Sequence, residues 1–534
     1  MFIEQYTDAE TQVLDRYFTN TDLPVFCVMN LPEATKAALF ARYSRTGKSL
    51  RRLFLDEFYE GETVIAPDDA GTVRSDTLLA RVLDEYGDDS VAQLGGAHIA
   101  CEGVSNILTK VIERPRLAAY LEQSTRYINF ADKPGGKYRY AAPFGFHIDS
   151  SGLSFQYRQH MDQTFAGYAK MVAATTAHLF DKLIVSRTET FEDGEKQTIE
   201  RAIRAEALDA CRGLLPAGTT SNLGMYASGQ SYEALITRML ASDLGEARYY
   251  GSMMLDELRK VIPQFLKRVD LPDRGVRHGE YLAANRKGLA DIAGRWSDGS
   301  ENGQRVHLVR SEENAEFTVA AAALYPHSDL TMNQIVADLR RRGDEAVDEV
   351  FAALVGDRSA NRRHRPGRAF EYADYEFDIC SDYGAFRDLQ RHRMLTMDWQ
   401  PLSPALGYDV PQLIIDAGLE SNYRDQMDET YEMFDLLSER INPSEARYVV
   451  PLGFKIRYSI KGNARALMHM LELRTIPQAH PSYRTVAQEM FMAIRGTKGH
   501  QRIAAAMSHV QLGDDPELVR LESEKKLAEK RREV

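Results

Sequence analysis

The hydrophobic positions of the chain recur mostly at intervals of three and four residues, the spacing that predicts amphipathic helices. Residues 199–214, 335–354 and 464–473 show this spacing most clearly. Alternation of apolar and polar residues, which is typical of half-buried strands, is rarer and occurs at residues 375–379 and around residues 98–100. The pattern therefore predicts an α+β fold that is rich in helix, with a small sheet in each half of the chain.

The length and internal order of the chain indicate a duplication. Its 534 residues exceed what one hydrophobic core usually serves, and the polar, glycine-bearing segment 294–303 is a candidate linker. On either side of it the same order recurs: a helical lead-in, a Gly-Asp step at residues 87–88 or 356–357, a strand, a helix, an arginine motif and a long helical tail. We therefore predict two tandem copies, over residues 1–293 and 304–534.

Charge and cysteine content argue against several classes of protein. A net charge of -12 disfavours binding to the phosphate backbone of nucleic acid, which needs a concentrated basic surface. Cys27, Cys101, Cys211 and Cys380 form no C-x-x-C pair, so neither a metal site nor a disulfide framework is expected. The sequence contains neither a signal-peptide pattern nor an apolar run long enough to cross a bilayer, which predicts a cytoplasmic protein without a membrane partner.

The first arginine motif, RPRLAAYLEQSTRY, begins at Arg114. Pro115 disfavours the α conformation at the residue before it, so a preceding helix is predicted to end here. If the next residues are extended, Glu122, Ser124 and Arg126 lie on one side of the strand. That row could bind an anionic, hydroxylated ligand, with the guanidinium on phosphate or carbonyl oxygens. A solvated polar edge with a Glu–Arg pair is the alternative.

This segment resembles the signature of flavin-dependent thymidylate synthases, R-H-R-x-x-S-x-N-E-x-S-x-R-Y. The matching positions, in register and without a gap, are Arg114, Arg116, Glu122, Ser124, Arg126 and Tyr127. Pro115, Ala119 and Leu121 replace the histidine, the first serine and the asparagine of the signature. The substrate end of the signature is therefore retained, and the departures fall in its flavin-contacting part.

The second copy retains different parts of the family pattern. Arg391-His392-Arg393 matches the R-H-R step, but the residues after it do not match. A basic helix C-terminus interacting with its own dipole is the structural alternative for this motif. The tail of the copy follows the spacing of the family, with its matching residues at Arg447, Pro451, Asn463, Arg465, His469 and Arg474.

The resemblance implies a role for each matching residue. Cofactor contacts fall on Arg114, Arg116, Glu122, Asn463, Arg465 and His469. Substrate contacts fall on Glu122, Ser124, Arg126, Arg447 and Arg474. The catalytic roles fall on Ser124 and Arg474, and Arg474 would polarise the carbonyl and N3 of the pyrimidine.

Arg474 also stands out on physical grounds. At about 100° per residue it falls on the same helical arc as Leu467, Met470 and Leu471. A guanidinium on an apolar face requires an anionic or strongly accepting partner. Two partners are possible, a buried carboxylate or a bound ligand.

The implied reaction is that of the family, the reductive methylation of dUMP to dTMP. Methylenetetrahydrofolate supplies the one-carbon unit, NADPH is the reductant, FAD is the bound cofactor, and no cysteine nucleophile is needed. The first copy retains the E-x-S-x-R row and the second the N-x-R helix, so we expect one composite site, with roughly one FAD per chain. The R-H-R step of the second copy would then belong to the decayed site, and substitutions at Arg391 or His392 should be less damaging than one at Arg126.

The family assembles as a tetramer, which implies a homodimer of the fused chain that forms a pseudo-tetramer. Two other functions stay open. The chain could be a flavoprotein that acts on another pyrimidine nucleotide or uses another one-carbon donor. It could also be a catalytically silent FAD- or nucleotide-binding paralogue.

Overall fold

The architecture is that of a computed structural model, which describes residues 5–23, 26–43, 48–59, 93–126, 128–144, 146, 152–186, 193–296 and 303–513. The Gly-Asp step at residues 87–88, Tyr127 and residues 297–302 of the candidate linker lie outside these ranges. The described chain is helix-rich and contains two small antiparallel sheets, which confirms the predicted α+β class.

The secondary-structure elements are numbered in chain order. The helices are α1 (Asp8–Leu14), α2 (Glu33–Tyr43), α3 (Leu50–Glu57), α4 (Asn106–Ile112), α5 (Leu153–Ser186), α6 (Asp193–Cys211), α7 (Gly229–Leu240), α8 (Gly245–Arg259), α9 (Arg277–Ala293), α10 (Ala315–Leu324), α11 (Met332–Arg342), α12 (Asp344–Val355), α13 (Tyr383–Leu389), α14 (Gln412–Asp416), α15 (Glu420–Arg440), α16 (Pro443–Ala446), α17 (Ala464–Arg474), α18 (Pro481–Gly496) and α19 (Gln501–Ala506). The strands are β1 (Gly96–Ser105), β2 (Ala118–Glu122), β3 (Thr220–Ser228), β4 (Val306–Ser311), β5 (Asp374–Asp382), β6 (Thr396–Trp399) and β7 (Lys455–Asn463).

The chain divides into two compact units that are interleaved along the sequence. The first unit consists of residues 1–104, 111–122 and 221–298, and the second of residues 105–110, 123–220 and 299–534. The predicted copies, 1–293 and 304–534, are each continuous in sequence and so divide the chain differently. The compact units therefore do not test the copy boundaries, which stay a prediction.

The first unit contains the sheet with strand order β1-β3-β2. β2 pairs with β3 in antiparallel register, with Ala118 opposite Ala227. Tyr232 on α7 is fully buried and donates its hydroxyl to the carbonyl of Ala97 over 2.9 Å, which ties this helix to β1. The strand predicted around residues 98–100 is confirmed as part of β1.

The second unit contains the sheet with strand order β4-β5-β7-β6. β5 and β7 pair along their whole length, from Asp374 opposite Asn463 to Asp382 opposite Lys455. Alternate residues of both strands are buried, because successive side chains of a strand point to opposite faces. The strand predicted at residues 375–379 is therefore confirmed, and its apolar face forms part of the core.

The predicted helices are confirmed with two differences. The stretch 335–354 is two helices, α11 and α12, separated at Gly343, whose φ of 84° lies in the region that favours glycine. The stretch 199–214 is helical to Cys211 and ends in a short 3₁₀ turn, Arg212–Leu214. The predicted helix at 464–473 is confirmed as α17.

Among the described residues, no helix has both the length and the apolar character needed to cross a bilayer.

The Arg-x-x-x-Pro steps of the two copies lie side by side in the second unit. Each begins a short 3₁₀ turn, Arg212–Leu214 or Arg447–Val449, that leads into β3 or β7. Pro216 and Pro451 form an antiparallel bridge, and backbone bonds of 2.8 to 2.9 Å flank it on both sides. Equivalent segments of the two copies thus pair around a local two-fold axis, which places Arg212 beside elements of the second copy.

Candidate functional site

A cavity of about 200 Å³ in the second unit contains side chains from both predicted copies. We call it the composite cavity. Its lining residues are Ser124, Thr125, Arg126, Arg212, Gly384, Arg387, Asp388, Arg391 and Arg474. Five of these are arginines and one is an acid, so the cavity is suited to an anionic ligand. The structure therefore brings together three predicted site residues, Ser124, Arg126 and Arg474.

Ser124 and Arg126 reach the cavity from a turn, not from a strand. β2 ends at Glu122, and the Ser124 hydroxyl oxygen accepts a hydrogen bond from the Arg126 backbone N–H over 3.2 Å. The predicted extended row that continues to Arg126 is therefore wrong beyond Glu122. The reason is local, since serine side chains that bind nearby backbone groups favour turns over ladder pairing.

Arg126 is anchored by Asp209 on α6. Its Nε and Nη2 donate to the two carboxylate oxygens over 2.7 and 2.9 Å, and Nη1 donates to the Tyr483 hydroxyl over 2.9 Å. Burial lowers the pKa of the Arg126 guanidinium, but Asp209 raises it by more, so the pKa is raised overall. The carboxylate partner of Arg126 is thus Asp209, and the guanidinium is charged and fixed in orientation.

Arg212 is buried at the cavity wall and only partly satisfied. Its Nη1 donates to Asp388 over 2.9 Å, whereas its buried Nη2 has no hydrogen-bond partner among the described residues. Arg212 is 3% exposed, so leaving this N–H without an acceptor is costly. A Cβ at position 384 would lie 3.0 Å from Oδ1 of Asp382 and 3.2 Å from Nη2 of Arg212, so glycine suits that position. Nη2 is a donor that a ligand could satisfy.

Asp388 carries a negative charge among several arginines. Burial raises the pKa of its carboxyl group, but Arg212, Arg391 and Arg474 lower it by more, so the pKa is lowered overall. The carboxylate therefore offsets part of the positive charge around the cavity. The lining remains net positive because five guanidinium groups face this one acid.

Arg474 is held by neutral acceptors. Its Nε donates to Nε2 of His392 over 2.9 Å, and its Nη2 donates to the carbonyl of Asp388 over 2.6 Å. Burial, followed by the charge of Arg474, lowers the pKa of His392 well below its usual value, so the imidazole is neutral and can accept. Neither of these two acceptors is a carboxylate. Among the described residues, Arg474 therefore has no hydrogen bond to a buried carboxylate, which was one of the two partners that the sequence allowed. The charge of Arg474 interacts with the Asp388 carboxylate without a hydrogen bond to it, and its Nη1 has no hydrogen-bond partner among the described residues, so Nη1 can bind a ligand.

A second cavity, of about 260 Å³, lies along α17, and we call it the α17 cavity. Its lining residues are Arg362, Arg363, Arg365, Arg465, Met468, His469, Glu472 and Leu473. Two predicted cofactor residues, Arg465 and His469, are among them. Asn463, the third in this segment, caps α17 and accepts from the backbone N–H of Ala466 over 2.9 Å.

Two histidines connect the cavities. The rings of His392 and His469 are 5.6 Å apart between centroids, and Nη2 of Arg365 lies 3.1 Å from Nδ1 of His469. Burial, followed by the charges of Arg365 and Arg362, lowers the pKa of His469. Both imidazoles are therefore neutral groups between the guanidiniums of the two cavities.

The remaining predicted site residues are not brought to either cavity. Arg447 lines neither, and its Nη2 donates to the Ser444 hydroxyl over 3.3 Å. Its counterpart Arg212 occupies the composite cavity instead. Arg114, Arg116 and Glu122 belong to the first unit, and their assignment to the cofactor stays a prediction.

The cysteines do not offer a reactive thiol near the site. Cys211 is fully buried, and burial raises the pKa of its thiol to about 12. A thiol with so high a pKa is a poor nucleophile at neutral pH. In the described part of the chain, no group of three or more His, Cys, Asp and Glu side chains is arranged to hold a metal ion.

The contributors that sequence reasoning missed include Arg212, Arg391 and His392, together with Arg387 and Asp388 of the lining. The R-H-R step was expected to be part of a decayed site, yet Arg391 lines the composite cavity and His392 positions Arg474. The intact R-H-R step could have identified Arg391 and His392, and the Arg-x-x-x-Pro step of the first copy could have identified Arg212. The location of the R-H-R step in the cavity corrects the expectation that this step lies away from Arg126.

We therefore predict that Arg391→Ala and Arg126→Ala lower kcat/KM for an anionic substrate by similar factors, roughly 10- to 100-fold, since each removes a guanidinium from one anion-binding site. The matched control is Arg440→Ala, which makes the same charge change at an exposed position of α15 outside the lining. Steady-state kinetics of the three variants decide the point. If Arg391→Ala has as little effect as the control, the R-H-R step belongs to the decayed site.

Comparison with known proteins agrees with the duplicated pattern. The family described as thymidylate synthase complementing protein matches residues 32–264 and again residues 307–497. A UPF0159 protein of Chlamydia muridarum is 35% identical over 497 residues, which cover 91% of this chain and 92% of that protein. A flavin-dependent thymidylate synthase of Haloarcula marismortui is 32% identical over 220 residues, which cover 35% of this chain and 88% of that enzyme.

Among solved structures, the UMP/dUMP methylase PolB from Streptomyces cacaoi bound with 5-Br dUMP is 22% identical. That match has a TM-score of 0.32 and covers 38% of this chain and 93% of that chain. The family assignment depends on the two successive sequence matches, which together span most of the chain. This chain therefore belongs to the thymidylate synthase complementing protein family, which it matches in two successive segments.

Proposed function

We propose that the chain is an FAD-dependent, thymidylate synthase-like methyltransferase that converts dUMP to dTMP. Methylenetetrahydrofolate would be the one-carbon donor and NADPH the reductant. The observation that carries the proposal is the composite cavity, where Ser124 and Arg126 of the first copy meet Arg474 of the second. A nucleoside monophosphate presents both a phosphate and a hydrogen-bonding base, which suits a cavity of arginines with one hydroxyl.

The phosphate of the substrate would be bound by the buried part of the cavity. Arg212 offers Nη2, which has no partner among the described residues, and a phosphate oxygen is a strong acceptor for it. Arg126 is oriented by Asp209, and four of its five N–H groups donate to Asp209, Tyr483 and the Gln478 carbonyl, so one Nη1 N–H is left for an anion. Preorganised donors of this kind reduce the entropic cost of binding.

The pyrimidine would be addressed by Arg474. His392 and the Asp388 carbonyl fix two of its nitrogens, while its charge stays uncompensated by a contacting carboxylate in the described chain. A fixed cation beside a carbonyl or N3 of uracil stabilises negative charge that develops on the ring. This is the catalytic role we assign to Arg474, and Ser124 would hold the substrate as a hydroxyl donor or acceptor.

The residues of the α17 cavity fit an anionic dinucleotide cofactor. Arg465 and His469 line it together with three further arginines, a donor set suited to phosphate oxygens. When bound, FAD would supply the hydride that completes the methyl group. Asn463, Arg465 and His469 would hold it, with Arg114, Arg116 and Glu122 as contacts implied by the family pattern.

One helix serves both cavities. α17 presents Arg465 and His469 to one cavity and Arg474 to the other. Sites built on one regular element are held more precisely than sites on loops. Substrate and cofactor would therefore be positioned by the same rigid backbone, in a homodimer if the chain assembles as its family pattern implies.

The test is direct. The purified protein should show a flavin absorption spectrum with roughly one FAD per chain, since one composite site is retained. It should form dTMP from dUMP only when both methylenetetrahydrofolate and NADPH are present. The absence of flavin after reconstitution would contradict the proposal, whereas bound flavin without dTMP formation would favour another pyrimidine nucleotide as substrate.

A further inference from the structure

The loop between α12 and β5 places three arginines on the wall of the α17 cavity. These are Arg362, Arg363 and Arg365, which line it together with Arg465 of the helix. None of the three loop arginines belongs to the motifs that the chain shares with flavin-dependent thymidylate synthases. Their presence in the cavity therefore requires a separate explanation.

The loop is fixed by buried contacts. Arg358 and Glu472 form a two-point ion pair, with both oxygen–nitrogen distances 2.8 Å and both side chains 2% exposed. The Nε of Arg358 donates to the carbonyl of His364 over 2.5 Å. Asn361 accepts from the backbone N–H of Arg363 over 2.9 Å. Arg363 and Arg365 are exposed and Arg362 is partly buried, but all three project from a loop whose backbone is held by these contacts.

Among the described residues, Arg362, Arg363 and Arg365 form no salt bridge, whereas Glu371 of the same loop pairs with Arg368 and Arg465. Glu472, the acidic residue on this wall, already has both oxygens engaged by Arg358. Arg362 donates to a backbone carbonyl over 3.4 Å, and Arg365 contacts the imidazole of His469. The side chain of Arg363 has no hydrogen-bond or ion-pair partner among the described residues.

Like charges that have no carboxylate of their own to pair with repel one another, and a bound anion relieves that repulsion. The lowered pKa of His469, caused by burial and then by Arg365 and Arg362, is consistent with such a positive potential. Several separate guanidiniums in one cavity suit a ligand with several anionic oxygens better than a single carboxylate.

We propose that Arg362, Arg363 and Arg365 form a diphosphate-recognition element, which binds the diphosphate group of a dinucleotide. This inference rests on the proposed function for the identity of the ligand as FAD. NADPH carries the same diphosphate chemistry, so the experiment must distinguish the two sources. Arg363 and Arg365 are the residues to test, because neither makes a salt bridge within the described chain.

The test compares the flavin-free, full-length protein with its Arg363→Gln/Arg365→Gln variant. Titrations measure Kd for FAD, for riboflavin, which has the same ring system without phosphate, for inorganic diphosphate and for NADPH. If FAD is the ligand, its Kd should rise by about 10-fold or more and diphosphate binding should be lost, while riboflavin changes by less than about 2-fold. If NADPH is the ligand, its Kd rises instead and that of FAD does not.

The matched control is Arg341→Gln/Arg342→Gln, which makes the same change in net charge on α11, outside the cavity lining. It should leave the Kd of each of the four ligands within about 2-fold of the wild-type value. This control separates the effect of lost contacts in the loop from the effect of a changed net charge. Unchanged binding of FAD, NADPH and diphosphate in the loop variant would overturn the inference and leave the proposed function standing. A wild-type protein that binds diphosphate through the loop but no flavin would overturn the proposed function and leave the inference standing.

Discussion

Arg474→Lys is expected to retain the fold and the proposed FAD but to lower kcat/KM for the proposed dTMP formation on the order of 100-fold, equivalent to about 2.7 kcal/mol. The Arg474 guanidinium donates to His392 and to the Asp388 carbonyl through different nitrogens. A lysine keeps the charge but has no planar fork, so it cannot keep both contacts and address the pyrimidine as well. Melting temperature, FAD content, dUMP affinity and turnover are to be measured on one preparation.

The control for this substitution is Arg495→Lys, in the last turn of α18, which is exposed and lines neither cavity. It should leave turnover unchanged. If the role of Arg474 is purely structural, Arg474→Lys will lower the melting temperature while dUMP affinity per folded molecule stays the same. That pattern would remove Arg474 from the site.

Glu472→Gln is expected to lower the free energy of unfolding by about 3–5 kcal/mol, the usual cost of removing one partner from a buried ion pair. Glu472 binds Arg358 through both oxygens, and both side chains are 2% exposed. The amide cannot compensate the buried guanidinium that remains. Urea denaturation of wild type and variant measures the difference.

The comparison for Glu472→Gln is Glu420→Gln on α15. Glu420 also pairs with an arginine, Arg424, over 2.7 Å, but the two side chains are 42% and 51% exposed. Water already solvates both groups, so this substitution should have a much smaller effect. Replacing both buried partners, as in Arg358→Met with Glu472→Leu, should recover much of the loss, because no unpaired charge is left. Equal effects of Glu472→Gln and Glu420→Gln would contradict the prediction.

The sequence alone is sufficient to predict several elements of the fold. The periodicity at residues 464–473 and the alternation at 375–379 predict α17 and β5, since the spacing of a few neighbouring residues indicates which face is buried. The break at Gly343 is not predictable in this way, because the apolar spacing continues across it. The family is predictable too, because its motifs are short segments that can be matched to the sequence position by position.

The composition of the site depends on the tertiary structure. The sequence names Ser124, Arg126 and Arg474 as members of one site, but it favours Arg447 over Arg212 and sets the R-H-R step aside. These choices depend on contacts between distant residues, such as Arg474 with His392, 82 positions apart, and Arg126 with Tyr483, 357 apart.

The sequence by itself determines the family, the duplication pattern and the residue types available for binding an anion. Tertiary structure decides which copy contributes each arginine to the composite cavity. The two Arg-x-x-x-Pro steps pair across a local two-fold axis, so their arginines lie in different surroundings. The two segments related by this axis have equivalent backbones, but their side chains have different neighbours. Arg212 meets the carboxylate of Asp388 and becomes buried at the cavity, whereas Arg447 contacts Ser444 and lines neither cavity. Equivalent arginines of one local motif thus acquire different roles, because burial and partner charge are set by residues far away in the chain.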